Sequence, residues 1–266
     1  MGTLVVIPAR YASTRYPGKP LVELRGATGL AKSLIRRSWD AAMQVRGVDR
    51  VVVATDDDRI ADAARGFGAE VVMTATTCQN GTERCAEAFE TLGAAFDIVV
   101  NLQGDAPLTP PWFIEDLVAG LRAHPLAQVA TPVLKTDGAA LNGFLEDRRA
   151  GRVGGTTAVF GTDHNALYFS KEVIPYTGQT FGPADDTPVF HHVGVYAYRP
   201  AALSAYPTWL MGPLERLEGL EQLRFLERGI SVLCVEVDAK GRQFWELNNP
   251  ADVPRIEAML GQMGEP

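Results

Sequence analysis

Four short apolar runs, spaced by segments of helical periodicity, constrain this chain most. Residues 3–8 contain Leu4-Val5-Val6-Ile7, and residues 50–55 contain Val51-Val52-Val53. Residues 70–73 contain Val71-Val72, and residues 97–102 contain Ile98-Val99-Val100. These runs are continuously apolar and β-branched rather than alternating, so they predict strands buried on both faces, as in a parallel sheet. The intervening segments supply the covering helices. Between residues 29 and 45, Leu30, Leu34, Ile35 and Trp39 share one helical face. Arg59–Gly66 reads as a second helix behind the capping cluster Asp56-Asp57-Asp58, and residues 81–92 as a third, with Thr82 as its expected cap. A βαβαβαβ order predicts an α/β fold: a Rossmann-like, doubly wound, mostly parallel sheet with right-handed crossovers.

The rest of the chain is less regular. A helix is expected over 112–122 and a strand over 128–134, while 136–156 reads as an insertion or mobile loop. Strands are expected at 158–160, 166–170, 190–198 and 230–237, and helices at 213–228 and 250–260. These elements suggest a nucleotide-binding α/β part over 1–134 and a smaller second lobe over 135–229. Residues 230–266 then return to the main sheet and add a closing helix.

Bulk properties narrow the function. The formal net charge of -7 argues against a general nucleic-acid binder, which needs a basic face. Cys78, Cys85 and Cys234 are odd in number and lack metal-site spacing, so neither a disulfide framework nor structural zinc is expected. No run approaches the ~20 apolar residues of a membrane span, so no membrane insertion is expected and a cytoplasmic protein is.

Against that acidic background one loop is basic. Ile7 to Leu21 reads IPARYASTRYPGKPL, with Arg10, Arg15 and Lys19 leaving the first strand. Ligands of open α/β sheets bind outside the carboxyl ends of the strands. Cations there suit a polyphosphate, and Asp105, just past the fourth strand, either holds the bridging metal or shapes a turn. Asp56 to Asp58 reads as a helix-start cluster. Residues 79–84, QNGTER, either read a base or ribose or cap a helix. Of the adjacent His191 and His192, one faces inward and one away. Glu215, Glu218, Glu221 and Gln222 mix with Arg216 and Arg224, mostly as a salt-bridged surface.

The chain resembles the CMP-Kdo synthetases, the 3-deoxy-manno-octulosonate cytidylyltransferases. The resemblance rests on IPARYASTRYPGKPL (7–21), VATDDDRI (53–60), NGTERCAEA (80–88), VNLQGDAPL (100–108), ALYFSKEVIPY (166–176), HHVGVYAYR (191–199), PLERLEGLEQLRFLERG (213–229) and NNPAD (248–252). It implies a nucleotide-diphospho-sugar transferase-like fold and transfer of CMP from CTP to a 2-keto-3-deoxy sugar acid, with release of pyrophosphate. By match to the family pattern, Arg10, Arg15 and Lys19 hold the triphosphate, and Pro8, Ala9, Thr55, Asp56, Asn80 and Gly81 surround the cytidine. Asp105 binds Mg2+, with Arg10, Lys19 and Asp105 carrying the chemistry. Gln103, His192, Tyr196, Glu221 and Gln222 contact the sugar acid. The resemblance further implies a homodimer and a role in lipopolysaccharide or capsule polysaccharide synthesis.

Three positions depart from the family pattern. Asn248 stands where an Asp is the second metal ligand, Ala106 replaces the Glu of QGDEP, and Thr157 replaces a lysine. An amide carbonyl is a weaker ligand for a hard cation than a carboxylate. Two alternatives therefore stand beside the cytidylyltransferase: a catalytically weakened nucleotide-binding paralogue, and a glycosyltransferase whose Asp-x-Asp would be Asp56-Asp57-Asp58.

Overall fold

The computed structural model describes residues 2–12, 16–93, 96–152, 155–242, 245–247 and 249–265. In chain order the elements are β1 (Thr3–Ala9), β2 (Glu23–Arg25), β3 (Ala31–Ser33), α1 (Leu34–Met43), β4 (Arg50–Thr55), α2 (Asp58–Gly66), β5 (Glu70–Met73), α3 (Gly81–Leu92), β6 (Ile98–Leu102) and α4 (Pro111–Ala123). They continue with β7 (Val129–Asp137), α5 (Gly138–Arg149), β8 (Thr156–Phe160), β9 (Ala166–Ser170), β10 (Asp186–His192), β11 (Val195–Tyr198), α6 (Pro200–Ala205), α7 (Pro213–Glu218), α8 (Leu223–Glu227), β12 (Val232–Glu236) and α9 (Val253–Met263). The fold is mixed α/β. The chain divides into two compact units, one of residues 1–115, 198–207 and 239–266, the other of residues 116–197 and 208–238.

In the first unit the strand order is β5-β4-β1-β6, all parallel. Leu4, Val5, Val6 and Ile7 are fully buried, as are Val52, Val53 and Ile98 to Val100. That burial on both faces is why these strands read as unbroken apolar runs. The parallel register sets Ala9 beside Thr55, so the loops after β1 and β4 leave the sheet at the same edge. Leu24, Leu34, Leu108, Leu247, Ile256, Met259 and Leu260 form a buried cluster that ties α9 to the loop after β6.

The segment expected as a helix from residue 29 is partly strand. β2 and β3 pair antiparallel with Leu24 opposite Lys32, and Leu34 N–H donates to the Val22 carbonyl at 2.8 Å, so the helix starts only at Leu34. Leu30 is consequently exposed rather than on the core face. The third helix begins where expected, but Asn80 caps it: its side chain accepts from Glu83 N–H at 2.9 Å. Thr82 is buried and shares a 2.8 Å hydrogen bond with the Tyr198 hydroxyl.

In the second unit β7, β10, β8 and β9 pair antiparallel, and β12 runs parallel to the first half of β7. The stretch expected as a loop at 136–156 contains the end of β7 and all of α5, capped by Asp137 accepting from Ala140 N–H at 2.7 Å. Residues 190–198, read as one strand, are two, interrupted at Val193-Gly194. Residues 213–228, read as one surface helix, are α7 and α8. Gly219, at φ +62°, ends the first in the left-handed region that favours glycine. Nor is this segment only a salt-bridged surface. Glu215 and Arg224 are both buried and form a two-pronged ion pair at 2.6 and 2.8 Å, clamping α7 to α8.

Candidate active site

The first unit gathers most of the expected nucleotide residues at the carboxyl edge of its parallel strands. Pro8 and Ala9 end β1, and Thr55, fully buried, ends β4. The loop after β1 returns on itself through the Gly18 N–H, which donates to the Tyr11 carbonyl at 3.0 Å. Gly18 has φ +70°, and a Cβ there would sit 3.1 Å from the Tyr11 ring, so backbone and space both require glycine. Lys19 follows on a 3-10 turn (Lys19–Leu21) and reaches Asp105 Oδ2 at 2.7 Å. The two are 86 residues apart in sequence. Arg10 is exposed and donates from Nη1 to the Gln79 carbonyl at 3.3 Å, one residue before the cap of α3.

Gly81 makes the centre of this unit's site tight. A Cβ on it would lie 3.2 Å from Asn101 Nδ2, 3.4 Å from Pro8 Cγ and 3.5 Å from Gln103 Nε2. Hence Pro8, Gly81 and Gln103 do come together. Asn80 has two structural duties: its Oδ1 caps α3, and its Nδ2 donates to the Tyr206 hydroxyl at 3.1 Å. The Asp trio is divided. Asp57 caps α2, whereas Asp56 faces the buried guanidinium of Arg84 at 3.2 Å, and Arg84 also bonds Thr74. Arg84 was missed in the sequence because it lies among small helix residues. Its signal was a lone cation beside the buried spacing of Cys85 and Ala88.

Asp105 also has a neighbour from the far end of the chain, since Leu247 N–H donates to its backbone carbonyl at 2.9 Å. Leu247 is buried in the α9 cluster, so this approach is anchored. Asn248 follows it directly but, like Arg15, lies outside the described residues. Ala106 is buried, so the carboxylate of the family pattern would be desolvated at this position. Among the described residues, no group of three or more His, Cys, Asp or Glu is arranged to hold a metal.

The second unit carries a different kind of cluster. The inward histidine is His192: its Nε2 lies 3.0 Å from Thr131 Oγ1, and its ring packs on Phe169 and Tyr196. Thr131 Oγ1 also reaches the Val195 carbonyl at 2.9 Å and the Val193 carbonyl at 3.3 Å; when its proton goes to either, Thr131 accepts from His192 Nε2–H. Burial, reinforced by neighbouring His191, pushes the His192 imidazole down to about 3. It is therefore neutral at physiological pH. His191 faces the other way, against Phe144, and burial pushes it down to about 4. The Tyr196 hydroxyl donates to Gln222 Oε1 at 3.0 Å. Gln222 is 1 % exposed, and its Nε2 has no partner among the described residues. Glu221 is half-buried beside it. Thr157, standing where the family has a lysine, is buried and spends its hydroxyl on the Glu172 carbonyl at 2.6 Å. Both Cys78 and Cys234 are pushed up to about 12, mainly by burial, so neither is a nucleophile.

Residues 4–232 match the family model described as Cytidylyltransferase. The 3-deoxy-manno-octulosonate cytidylyltransferase of Maricaulis maris is 44% identical over 265 residues, spanning 100% of this chain and 99% of the relative. An 8-amino-3,8-dideoxy-manno-octulosonate cytidylyltransferase of Shewanella piezotolerans is 40% identical, spanning 98% of this chain and 99% of its own. A solved CMP:2-keto-3-deoxy-manno-octonic acid synthetase complexed with CTP superposes with a TM-score of 0.82 at 33% identity, covering 99% of this chain and 100% of the other. The chain therefore belongs to the cytidylyltransferases, enzymes that use CTP as nucleotidyl donor. Within them it is a member of the CMP-Kdo synthetase family. No helix among the described residues is long and apolar enough to cross a membrane.

Proposed function

We propose that this enzyme transfers CMP from CTP to 3-deoxy-manno-octulosonate (Kdo) or a closely related 2-keto-3-deoxy sugar acid. The observation that carries the reading is the meeting of Lys19 and Asp105 at 2.7 Å, where β1 and β6 end side by side. A cation for a triphosphate and a hard oxygen ligand stand together, in a chain whose full-length relatives are named for this transfer.

In the reaction the anomeric hydroxyl oxygen of the sugar acid forms a bond to the α-phosphorus of CTP. The bond from that phosphorus to the bridging oxygen breaks, pyrophosphate leaves with the electron pair, and the hydroxyl proton is released. Catalysis of such a displacement is mostly positioning and charge neutralisation. Arg10, Arg15 and Lys19 meet the phosphates. Pro8, Ala9, Thr55, Asp56, Asn80 and Gly81 enclose the nucleoside, with Arg84 fixing Asp56. Gln103, His192, Tyr196, Glu221 and Gln222 recognise the sugar acid. Gln222 Nε2 supplies a desolvated donor for an acid's oxygen, and neutral His192 supplies hydrogen-bonding without charge.

Magnesium fits this donor set. It is commonly held by one or two protein carboxylates together with substrate phosphates, so a full protein cage is not required. Asp105 would hold it, with the Asn248 carbonyl as a neutral second ligand. When bound, the ion neutralises charge on the phosphate oxygens. Following the family resemblance, we also infer a homodimer working in the cytoplasm and supplying a CMP-sugar for lipopolysaccharide or capsule synthesis. Light scattering of the purified protein tests the dimer.

The deciding experiment measures pyrophosphate release with CTP and magnesium against a panel of acceptors that includes Kdo and 8-amino-3,8-dideoxy-manno-octulosonate. Turnover with one of these sugar acids is expected. CTP binding without turnover on any acceptor would replace this reading with that of a nucleotide-binding paralogue. An Asn248→Asp variant is expected to lower the magnesium concentration for half-maximal turnover.

A further inference from the structure

Asn101 is a polar residue in an apolar position. It is the fourth residue of β6 and pairs in register with Val6 of β1 in the parallel sheet. Its exposure is 0%, and neither Oδ1 nor Nδ2 has a hydrogen-bond partner among the described residues. A buried carboxamide with both ends unpaired destabilises a fold, whereas an apolar side chain of the same shape would not. Such a group in a native core requires an explanation.

Its surroundings supply one. Gln103 directly follows β6, two residues after Asn101, and both carboxamides approach the same point. That point is covered by the first turn of α3: a Cβ on Gly81 would lie 3.2 Å from Asn101 Nδ2 and 3.5 Å from Gln103 Nε2. Pro8 Cγ borders the same point at 3.4 Å. So the unpaired amide lies directly behind three residues of the proposed site, Pro8, Gly81 and Gln103, without itself reaching the surface.

We propose that Asn101 is a positioning residue whose hydrogen bonds are completed only when nucleotide is bound. Occupation of the space beside Pro8 and Gly81 shifts the first turn of α3 and the Gln103 carboxamide by the small amount that brings them within bonding distance of Asn101. The amide then locks both in the bound arrangement. Asn101 thereby destabilises the free protein and strengthens nucleotide binding, a differential contact between two states. This inference rests on the reading of the first unit as the nucleotide site.

The test compares Asn101→Leu and Asn101→Ala with the unsubstituted enzyme. It reads the melting temperature without ligand, the CTP dissociation constant by calorimetry, and KM for CTP separately from kcat. Asn101→Leu keeps a similar volume and removes both unpaired groups. Its free form is expected to melt at the same temperature or higher, while CTP affinity falls about tenfold and KM for CTP rises in parallel, the scale of one or two lost hydrogen bonds. Asn101→Ala leaves a cavity and melts lower, yet it should weaken CTP by the same factor. Unchanged CTP affinity in both variants overturns the proposal. So does failure of both to fold, because it would mean the amide is already satisfied in the free protein. Lys19→Ala serves as the control for the underlying site. If it leaves CTP affinity intact, the nucleotide reading of the loop fails. If it weakens CTP while the Asn101 variants do not, only the inference about Asn101 fails.

Discussion

The polar cluster of the first unit and that of the second are built on opposite principles. Around Lys19 and Asp105 the groups are charged and reachable, with side-chain exposures of 14% and 24%, and they neutralise each other at 2.7 Å. Around His192, Tyr196 and Gln222 they are neutral and almost fully buried: His192 bonds Thr131, Tyr196 bonds Gln222, and the His192 and Tyr196 rings pack together. The difference follows from desolvation. A triphosphate brings several charges, and cations that meet it must remain solvated until it arrives, since a buried unpaired cation is costly. A sugar acid brings one carboxylate and many hydroxyls, which neutral, rigid donors and acceptors recognise by direction. On the proposed reading, the first cluster exchanges an internal ion pair for a ligand, and the second stays as it is.

Breaking each cluster separately tests this contrast. The largest effect is expected from Asp105→Ala, which removes the carboxylate available to the ion and leaves Lys19 unopposed. Pyrophosphate release should fall by about a thousandfold or more, the scale of several kcal/mol of lost charge stabilisation. Retained turnover at the original rate would end the metal assignment. The melting temperature should change little, because the lost ion pair is partly exposed.

Glu215→Ala should show the reverse profile for the second unit. It leaves the Arg224 guanidinium buried without its carboxylate, and about 3–5 kcal/mol of stability should be lost in a denaturant titration. A loss as small as that of a surface ion pair would mean that α7 and α8 are not clamped by this contact.

Gln222→Leu is next in size. It removes a donor that has no partner among the described residues and the acceptor of the Tyr196 hydroxyl. KM for the sugar acid should rise about tenfold, the scale of one or two hydrogen bonds, while KM for CTP is unchanged. Equal effects on both substrates would dissolve the distinction between the two clusters.

The smallest effect is a pH dependence. His192 sits at about 3 in the folded protein, below its ordinary value of 6.5, so the folded state disfavours its protonated form. Its contribution is fully present above 6.5 and is lost progressively as the pH falls toward 3, because the unfolded chain takes up the proton first. Denaturation midpoints measured between pH 7 and pH 4 should decline, and His192→Gln should flatten part of that decline. His191, at about 4, contributes in the same direction, so some slope remains in the variant. An identical slope in the variant would exclude His192 as a source.

Legibility in the sequence tracked the range of the interactions. The four parallel strands and the helices α2 and α3 were readable because burial on two faces and a helical stripe leave periodic traces within a dozen residues. The β2–β3 pair was not, since three-residue strands carry no periodicity and the apolar residues at 30, 34 and 35 imitate a helix. The break at Gly219 was hidden by dense charge on both sides. Thr82 looked like the cap of α3, yet the buried Tyr198 takes its hydroxyl and Asn80 takes the role.

The sequence by itself determined the order of elements, the cationic loop after the first strand, and the family, since these are local patterns written in contiguous residues. Tertiary structure alone decided that Lys19 opposes Asp105, that Asp56 belongs to Arg84, and that His192 rather than His191 faces Tyr196. Each of these depends on which strand lies beside which and on the phase of the pleat, and neither is encoded in the residues that meet. Asn101 shows the difference most plainly. In the sequence it is one polar letter in an apolar strand; folded, it is a buried amide held behind Gly81 with no partner among the described residues.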